Sequence, residues 1–472
     1  MLKPLLTVIL FLSCCSAPER ASARQATPSQ LTLEKAVQFA LRNNPDVRTS
    51  RLEMEKANGR VLEAWGNALP SVDVSSQYVH LIDKPVSYFP DYLIYPLYKI
   101  MDSTAHFPKA TGQLILLPGS MSPAFTAGAS LNVRQIIFNG AVFVGVGAAH
   151  IYSHLASDLF EAKKIETVAK VKKVYYGALM AREVVGLMES SLRNAEDNLK
   201  NVRLLRQQGI ISEYDELRAS VGVENIRPLV IQSENGYDLA LDALRNTIGM
   251  TNHEDLNLVD SLTIQIVDDS VAAKAEDIVL EMNPGLSAVK RQIELNGAVV
   301  NAERSSYLPT IAAFGSYQYQ AIKNEFNFST NDFYKSSNIG VSLSLNLFQG
   351  LQTYARVEQA QLEEQKSEEQ KTALERNLKT GVHSVRSNLQ QAAKRLAAQE
   401  KTIEMAERGY KIVTARFLSS AATQLEVNDA ELALTQAKVN RIQAVYDYLV
   451  ASADLDQLMG RMPSYATASL HQ

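Results

Sequence analysis

Two periodicities alternate along this chain. In four short segments, apolar and polar residues take turns. After Pro70, Val72, Val74 and Tyr78 alternate with Ser71, Asp73, Ser75 and Gln77. Phe125, Ala127, Ala129, Leu131 and Val133 alternate with Thr126, Gly128, Ser130, Asn132 and Arg134. Ile311, Ala313, Tyr317 and Tyr319 stand against Thr310, Ser316, Gln318 and Gln320, and Val341, Leu343, Leu345 and Leu347 against Ser342, Ser344 and Asn346. Successive side chains of a strand point to opposite faces, so each segment reads as a strand with one apolar and one polar face. The predicted strands lie at about 71–80, 125–137, 310–320 and 338–348. A half-buried soluble sheet and the wall of a membrane barrel alternate identically, so the pattern alone leaves both open.

The second period is helical. Residues 140 to about 208 and 351 to about 417 contain no proline, and no proline stands between Pro309 and Pro463. At about 1.5 Å per residue each segment could extend on the order of 100 Å, longer than a globular core can use. Val382, Leu389, Leu396, Ile403, Tyr410 and Phe417 recur every seventh residue, with Val385, Ala392, Ala406 and Val413 between them. Val185, Met188, Leu192, Ala195, Leu199 and Val202 follow steps of three and four. A sustained seven-residue repeat predicts left-handed supercoiling about neighbouring helices. Turns at 207–212 and 418–423 follow, with Gly209 suited to end a helix and Ser212 and Thr423 to start one. The second return helix carries Leu425, Leu432, Val439 and Tyr446, again seven apart, so two antiparallel hairpins are expected at about 140–250 and 351–460. Pro228 interrupts the first return segment and is read as a kink.

These elements are written twice. Asn44-Pro45 recurs as Asn283-Pro284, and Leu69-Pro70 as Leu308-Pro309, both at an offset of 239. Val61 matches Val300 and Tyr78 matches Tyr317 at the same offset, and Phe138-Asn139-Gly140 is echoed by Phe348-Gln349-Gly350 at 210. The first copy therefore carries an insertion between Tyr78 and Phe138. The chain divides into a leader at 1–23, a first repeat at 24–265, a second at 266–462 and a tail at 463–472.

Composition narrows the function. The 47 basic and 51 acidic residues give a net charge of −4, with no basic excess to draw nucleic acid. The two cysteines, Cys14 and Cys15, lie in the N-terminal apolar segment, which excludes a disulfide scaffold, a cysteine zinc site and a cysteine nucleophile in the folded body. No apolar run reaches the roughly 18 residues of a membrane-spanning helix. Lys3, the apolar run from Pro4 to Ser13 and Ala21-Ser22-Ala23 form an export signal; alternatively, Leu12-Ser13-Cys14 resembles a lipoprotein box with Cys14 as the lipidated terminus. His150 and His154 are spaced i, i+4 but find no third ligand, and read as a surface pair. No catalytic constellation, metal site or cofactor is expected.

Four strands cannot close a barrel, for which about eight is the minimum. An exported chain with four amphipathic strands must pool them with other copies, and the hairpin seams need neighbours too. The doubled order of Asn-Pro, Leu-Pro, Phe-Asn/Gln-Gly and hairpin tip resembles the TolC family of outer-membrane efflux proteins, over roughly Leu31 to Met462. The resemblance implies a mainly α fold with a membrane β-barrel. Three chains contribute four strands each to a twelve-stranded barrel that a periplasmic α-helical barrel continues. It also implies a periplasmic adaptor (membrane fusion protein), an inner-membrane pump, outer-membrane lipid around the barrel, and export without chemistry. A duct for type I polypeptide secretion is the alternative within that architecture, and a periplasmic coiled-coil scaffold without a pore the alternative outside it.

Site expectations follow from the same resemblance. Glu426 and Asp429 match acidic positions that ring the periplasmic mouth, although a solvated place near a helix N-terminus would suit both equally well. Asp215 matches a position in the bonds that hold the closed tip. Ser420 stands where the family usually has glycine, and Ala422 where some members carry a basic residue, so particular tip salt bridges of those members do not transfer. The tips, Gly209, Ile210, Ile211 and Ser212 in one copy and Leu418, Ser419, Ser420, Ala421 and Thr423 in the other, are expected to dock the adaptor. The insertion holds Tyr88, Phe89, Tyr92, Tyr95 and Tyr98 among Pro85, Pro90 and Pro96, as an interfacial belt, an outer lid or a plain surface loop.

Overall fold

A computed structural model describes residues 30–84, 87–93, 96, 100, 111–117, 123–251, 256–264 and 274–468. The leader, Cys14, Tyr95 and Tyr98 lie outside them. Strand β1 (Gln30–Leu31) leads into helices α1 (Leu33–Asn43) and α2 (Pro45–Gly66), then strand β2 (Ser71–His80). Two short strands, β3 (Ser87–Pro90) and β4 (Leu114–Leu117), pair within the insertion, which is therefore more than a loop. Strand β5 (Phe125–Phe138), helices α3 (Gly140–Gln207) and α4 (Glu213–Ile248), and strand β6 (Asn257–Leu258) complete the first copy. The second runs through α5 (Ala275–Met282), α6 (Pro284–Arg304), β7 (Thr310–Lys323), β8 (Tyr334–Ser344), α7 (Gln352–Leu418) and α8 (Gln424–Leu458), followed by α9 (Ser464–Ala468).

Each Asn-Pro pair joins two helices and ties them to a third. Asn44 ends α1 and caps α2, where Pro45 occupies the first turn and needs no donor partner. Its Oδ1 accepts from the Asp46 and Val47 amides at 2.8 and 3.3 Å, while Nδ2 donates to the Thr247 carbonyl at 2.7 Å. That carbonyl belongs to the last turn of α4, which has no helical donor left to satisfy it. Asn283 repeats the device: Oδ1 accepts from Leu286 at 3.0 Å, and Nδ2 donates to Leu458 at the end of α8 at 2.9 Å. The glycines that follow those ends, Gly249 (φ +78°) and Gly460 (φ +68°), are equivalent as well. A Cβ at either would sit 2.6 Å from a backbone oxygen, of Asn43 and Met282 respectively. The recurrence of Asn-Pro is thus a repeated clasp between the start of each copy and the end of its hairpin.

The clasps border two separate cores. In one, Val171, Tyr175, Ala178 and Leu179 of α3 meet Val37 and Leu41 of α1, Leu244 of α4 and Ala466 of α9, so the tail contributes to the core. The Tyr175 hydroxyl donates to the Leu31 carbonyl (3.0 Å) and to Asp260 Oδ2 (2.8 Å), anchoring the parallel β1–β6 pair. In the other, Leu286 of α6 and Val279 of α5 pack on Leu378, Val382 and Leu389 of α7 and Tyr448 and Leu455 of α8. On α8 the buried stripe is Val427, Leu434, Ala437, Ala444, Tyr448 and Leu455, not the predicted Leu425, Leu432, Val439 and Tyr446. Leu425 and Leu432 are 45 % and 68 % exposed. The helix carries two apolar stripes, and the chain's own hairpin uses the one the heptad arithmetic did not select. Helix α4 runs unbroken from Glu213 to Ile248 through Pro228.

The four long strands form one antiparallel sheet in the order β2-β5-β7-β8. Strand β8 starts at Tyr334 and ends at Ser344, four residues earlier at each end than the predicted 338–348. Ser344 pairs with Thr310, and the next partner would be Pro309, which has no N–H to extend the ladder.

Candidate functional site

The register of the sheet lines up residues of similar character across several strands. Val72, Val133, Gly315 and Ile339 lie in one row, and Val74, Leu131 and Tyr317 in the next, which ends at Ser337 on β8. On the opposite face Asp73, Asn132, Ser316 and Asn338 form one row, and Ser75, Ser130, Gln318 and Ser336 another. Ser75 and Ser130 share a hydrogen bond at 2.7 Å, and the Ser316 hydroxyl donates to Asn338 at 3.0 Å. Among the described residues the apolar face is left largely uncovered: Val74 is 76 % and Leu343 70 % exposed. A large contiguous exposed apolar surface marks contact with a partner or with lipid.

Aromatic side chains stand at both ends of that face. Away from the long helices, Tyr78 meets Phe125 and Phe326 at ring distances of 6.4 and 5.8 Å, and Tyr319 stacks on Phe333 at 4.9 Å. At the helix end Phe138 approaches Phe143 at 6.2 Å, and Tyr307 and Phe348 are exposed. Aromatic girdles flanking an apolar band are the mark of a strand wall at a membrane interface. The sequence reading missed both, because they assemble from residues up to about 250 positions apart.

The two tips have one backbone plan. After α3, Gly209 turns left-handed (φ +72°) and the Ile210 amide donates back to Leu205 at 3.0 Å. After α7, Ser420 takes the same place at φ +59°, and the Ala421 amide donates to Arg416 at 2.7 Å. A serine there carries roughly 1–2 kcal/mol of strain that glycine avoids. Ser212 and Thr423 then cap the return helices, and Asp215 and Glu426 close the two capping boxes. Asp215 Oδ2 accepts from the Ser212 amide and hydroxyl at 3.2 and 2.6 Å. Glu426 Oε2 accepts from the Thr423 amide at 2.7 Å, and that bond, with the Arg416 charge nearby, holds the carboxyl below the usual glutamate range. Two of the three acids singled out by sequence thus occupy equivalent positions and are engaged locally. Asp429 is exposed one turn further on, with no ion pair among the described residues.

Beyond the caps the tips differ. Glu216 binds Arg203 Nε at 3.3 Å and pairs with Arg206, whose hydrogen bond lowers its pKa. The positions equivalent to Arg206 and Glu216 in the second copy are Phe417 and Val427, 3 % and 0 % exposed. One tip is stapled by ions and the other by apolar packing. Above them Glu431, which the sequence reading passed over, is 9 % exposed, and its Oε1 has no hydrogen-bond partner. Its signal in the sequence was position: it lies on the Val427–Leu434 stripe. His150 and His154 are exposed on α3, and no cluster of three or more His, Cys, Asp or Glu able to hold a metal occurs among the described residues.

Comparison with known proteins agrees with this geometry. Residues 277–461 match the family described as outer membrane efflux protein. The chain is 22 % identical over 328 residues to the alkaline protease secretion protein AprF of Pseudomonas aeruginosa, covering 69 % of this chain and 68 % of the relative. It is 21 % identical to the outer membrane protein TolC of Vibrio cholerae, covering 71 % and 76 %. The open state of the Neisseria gonorrhoeae MtrE outer membrane channel superposes with a TM-score of 0.70 at 18 % identity, over 91 % of this chain and 89 % of that one. With its doubled strand-and-hairpin unit, the outer membrane efflux protein match over residues 277–461 and these relatives, the chain is similar to the TolC family and is an export channel of the outer membrane.

Proposed function

We propose that three copies of the chain close a single twelve-stranded barrel in the outer membrane, continued into the periplasm by their helical hairpins, and that solutes leave the cell through it. The observation that carries this reading is a sheet with a mainly apolar face between aromatic rims, a mainly polar face and two edges, β2 and β8, that are unpaired among the described residues. Strand β8 runs antiparallel to β2, so the edge of one copy meets the edge of the next in the sense that a closed antiparallel barrel needs. Apolar rows then face lipid, and Asp73, Asn132, Ser316 and Asn338 face the lumen. The second α8 stripe, with Leu425 and Leu432, is available to a neighbouring copy.

At the other end, the hairpin tips dock a periplasmic adaptor that couples the channel to an inner-membrane pump. Asp429 from each copy, with the capped Glu426 and Asp215 beside it, forms an acidic mouth that favours cations. The relative named for protease secretion supports polypeptide cargo as the second reading within the same architecture. A pore-less scaffold leaves the amphipathic sheet without a role. Extraction from outer membranes, mass determination and planar-bilayer recording test the proposal together. A detergent-stable trimer that conducts is expected. A soluble, correctly processed monomer overturns it.

A further inference from the structure

Between α3, α4 and α8, about one turn above the tip core, lies a cavity of about 230 Å³. Met188, Ile226 and Leu229 give it apolar walls, and Ser191, Asn225 and Thr435 line it with neutral polar groups. Glu431 of α8 is the only charged residue in the lining. Its Oε1 is buried without a hydrogen-bond partner, while the Ser191 hydroxyl, 3.4 Å from Thr435, hydrogen-bonds the carboxyl and partly offsets the effect of burial. A carboxylate whose second oxygen is left unsatisfied in such a place is unfavourable unless a cation or a further donor completes it.

We propose that this cavity binds an alkylammonium ligand, its N–H groups donating to Glu431 Oε1 and its alkyl chain lying along Met188, Ile226 and Leu229. The donor set argues against a hard metal ion: a divalent cation of that kind gathers six or more oxygens, usually with several carboxylates, and here there is one carboxylate among amides, hydroxyls and hydrocarbon. A six-carbon chain with a terminal ammonium matches both halves of the lining. Burial pushes the Glu431 carboxyl up to about 7. The α3 and α4 lining contributes no titratable group; from α7 comes Tyr410, whose pKa is raised by burial and then by the Glu431 charge. A cation binds the ionised carboxylate, so affinity rises with pH through neutrality and levels off above it.

The test is isothermal titration of the purified full-length channel with hexylammonium chloride, whose own charge is constant across this range. Binding is expected to tighten about tenfold between about pH 6 and about pH 8.5, as the ionised fraction of a group near 7 rises from about a tenth to nearly all. Glu431→Gln, neutral and of the same shape, should lose the pH dependence and weaken binding about tenfold or more at the higher pH. Gly222→Leu keeps the carboxylate but fills the cavity, and should abolish binding. Thermal melts of both variants establish that they are folded, and because binding is read at equilibrium, a channel that does not conduct still reports on it. Equal affinity for uncharged 1-hexanol, unchanged affinity in folded Glu431→Gln, or displacement by millimolar K⁺ or Mg²⁺ would overturn the assignment.

Discussion

Replacing Asn44 by alanine tests the clasp at the start of the first copy. The side chain serves two helices, and alanine removes both services. Loss of the cap to the Asp46 and Val47 amides costs about 1 kcal/mol. Loss of the bond to the buried Thr247 carbonyl leaves that acceptor unsatisfied, for about 1–3 kcal/mol more. The sum, about 2–4 kcal/mol, should appear as local opening, read by hydrogen–deuterium exchange of the detergent-solubilised channel. At about 1.4 kcal/mol per decade, amides in the first turn of α2 and the last turn of α4 should exchange at least about 30-fold faster. Asn44→Ser keeps a capping oxygen but cannot reach Thr247, so it should protect α2 while still loosening α4. The end of α8 should be unaffected in both variants, because Asn283 holds it independently against a different core. If α4 exchanges at the wild-type rate in Asn44→Ala while α2 frays, the residue is only a cap and the clasp does not exist.

Two further expectations concern the tips. Asp429→Asn should lower cation preference in single-channel recordings more than Glu426→Gln, since the Glu426 carboxylate is committed to the Thr423 amide; the reverse order would move the mouth charge onto Glu426. The Glu216 staple has a carboxyl whose folded pKa is depressed, so it contributes stability above the ordinary glutamate range and loses it as pH falls through its own lowered value. Acid or high salt should therefore loosen the first tip before the second, whose Phe417 and Val427 carry no charge; equal protease sensitivity of both tips at low pH would contradict this.

The sequence disclosed what local rules determine. Strand alternation, proline-free helices and the cap residues Gly209, Ser212 and Thr423 are each decided within a few neighbours, and the structure has a strand, a helix end or a cap at those places. It hid what depends on distant partners. Asn44 and Thr247 are 203 residues apart, so the doublet could be seen to recur without its purpose being visible. The end of β8 at Ser344 depends on Pro309, which lies just before β7. Heptad spacing found an apolar stripe on α8, but not which of two stripes the hairpin buries. Nothing local marked Glu431, because charged residues on a helix usually face solvent.

The unpaired edges of β2 and β8 govern the life of a newly made chain. A strand edge of ten or more residues, with apolar side chains on one face, is a template for any other strand it meets. Each hairpin can settle within one copy, because its buried stripe is supplied by that copy. The sheet cannot. On the proposed trimeric assembly, a protomer passes through a stage with sound helices and an open, adhesive sheet, and its yield depends on reaching its sister chains and the lipid before it reaches a wrong strand. Slower encounter, from low expression or a weakened helical contact between copies, should lead to aggregation rather than to a pool of waiting monomers.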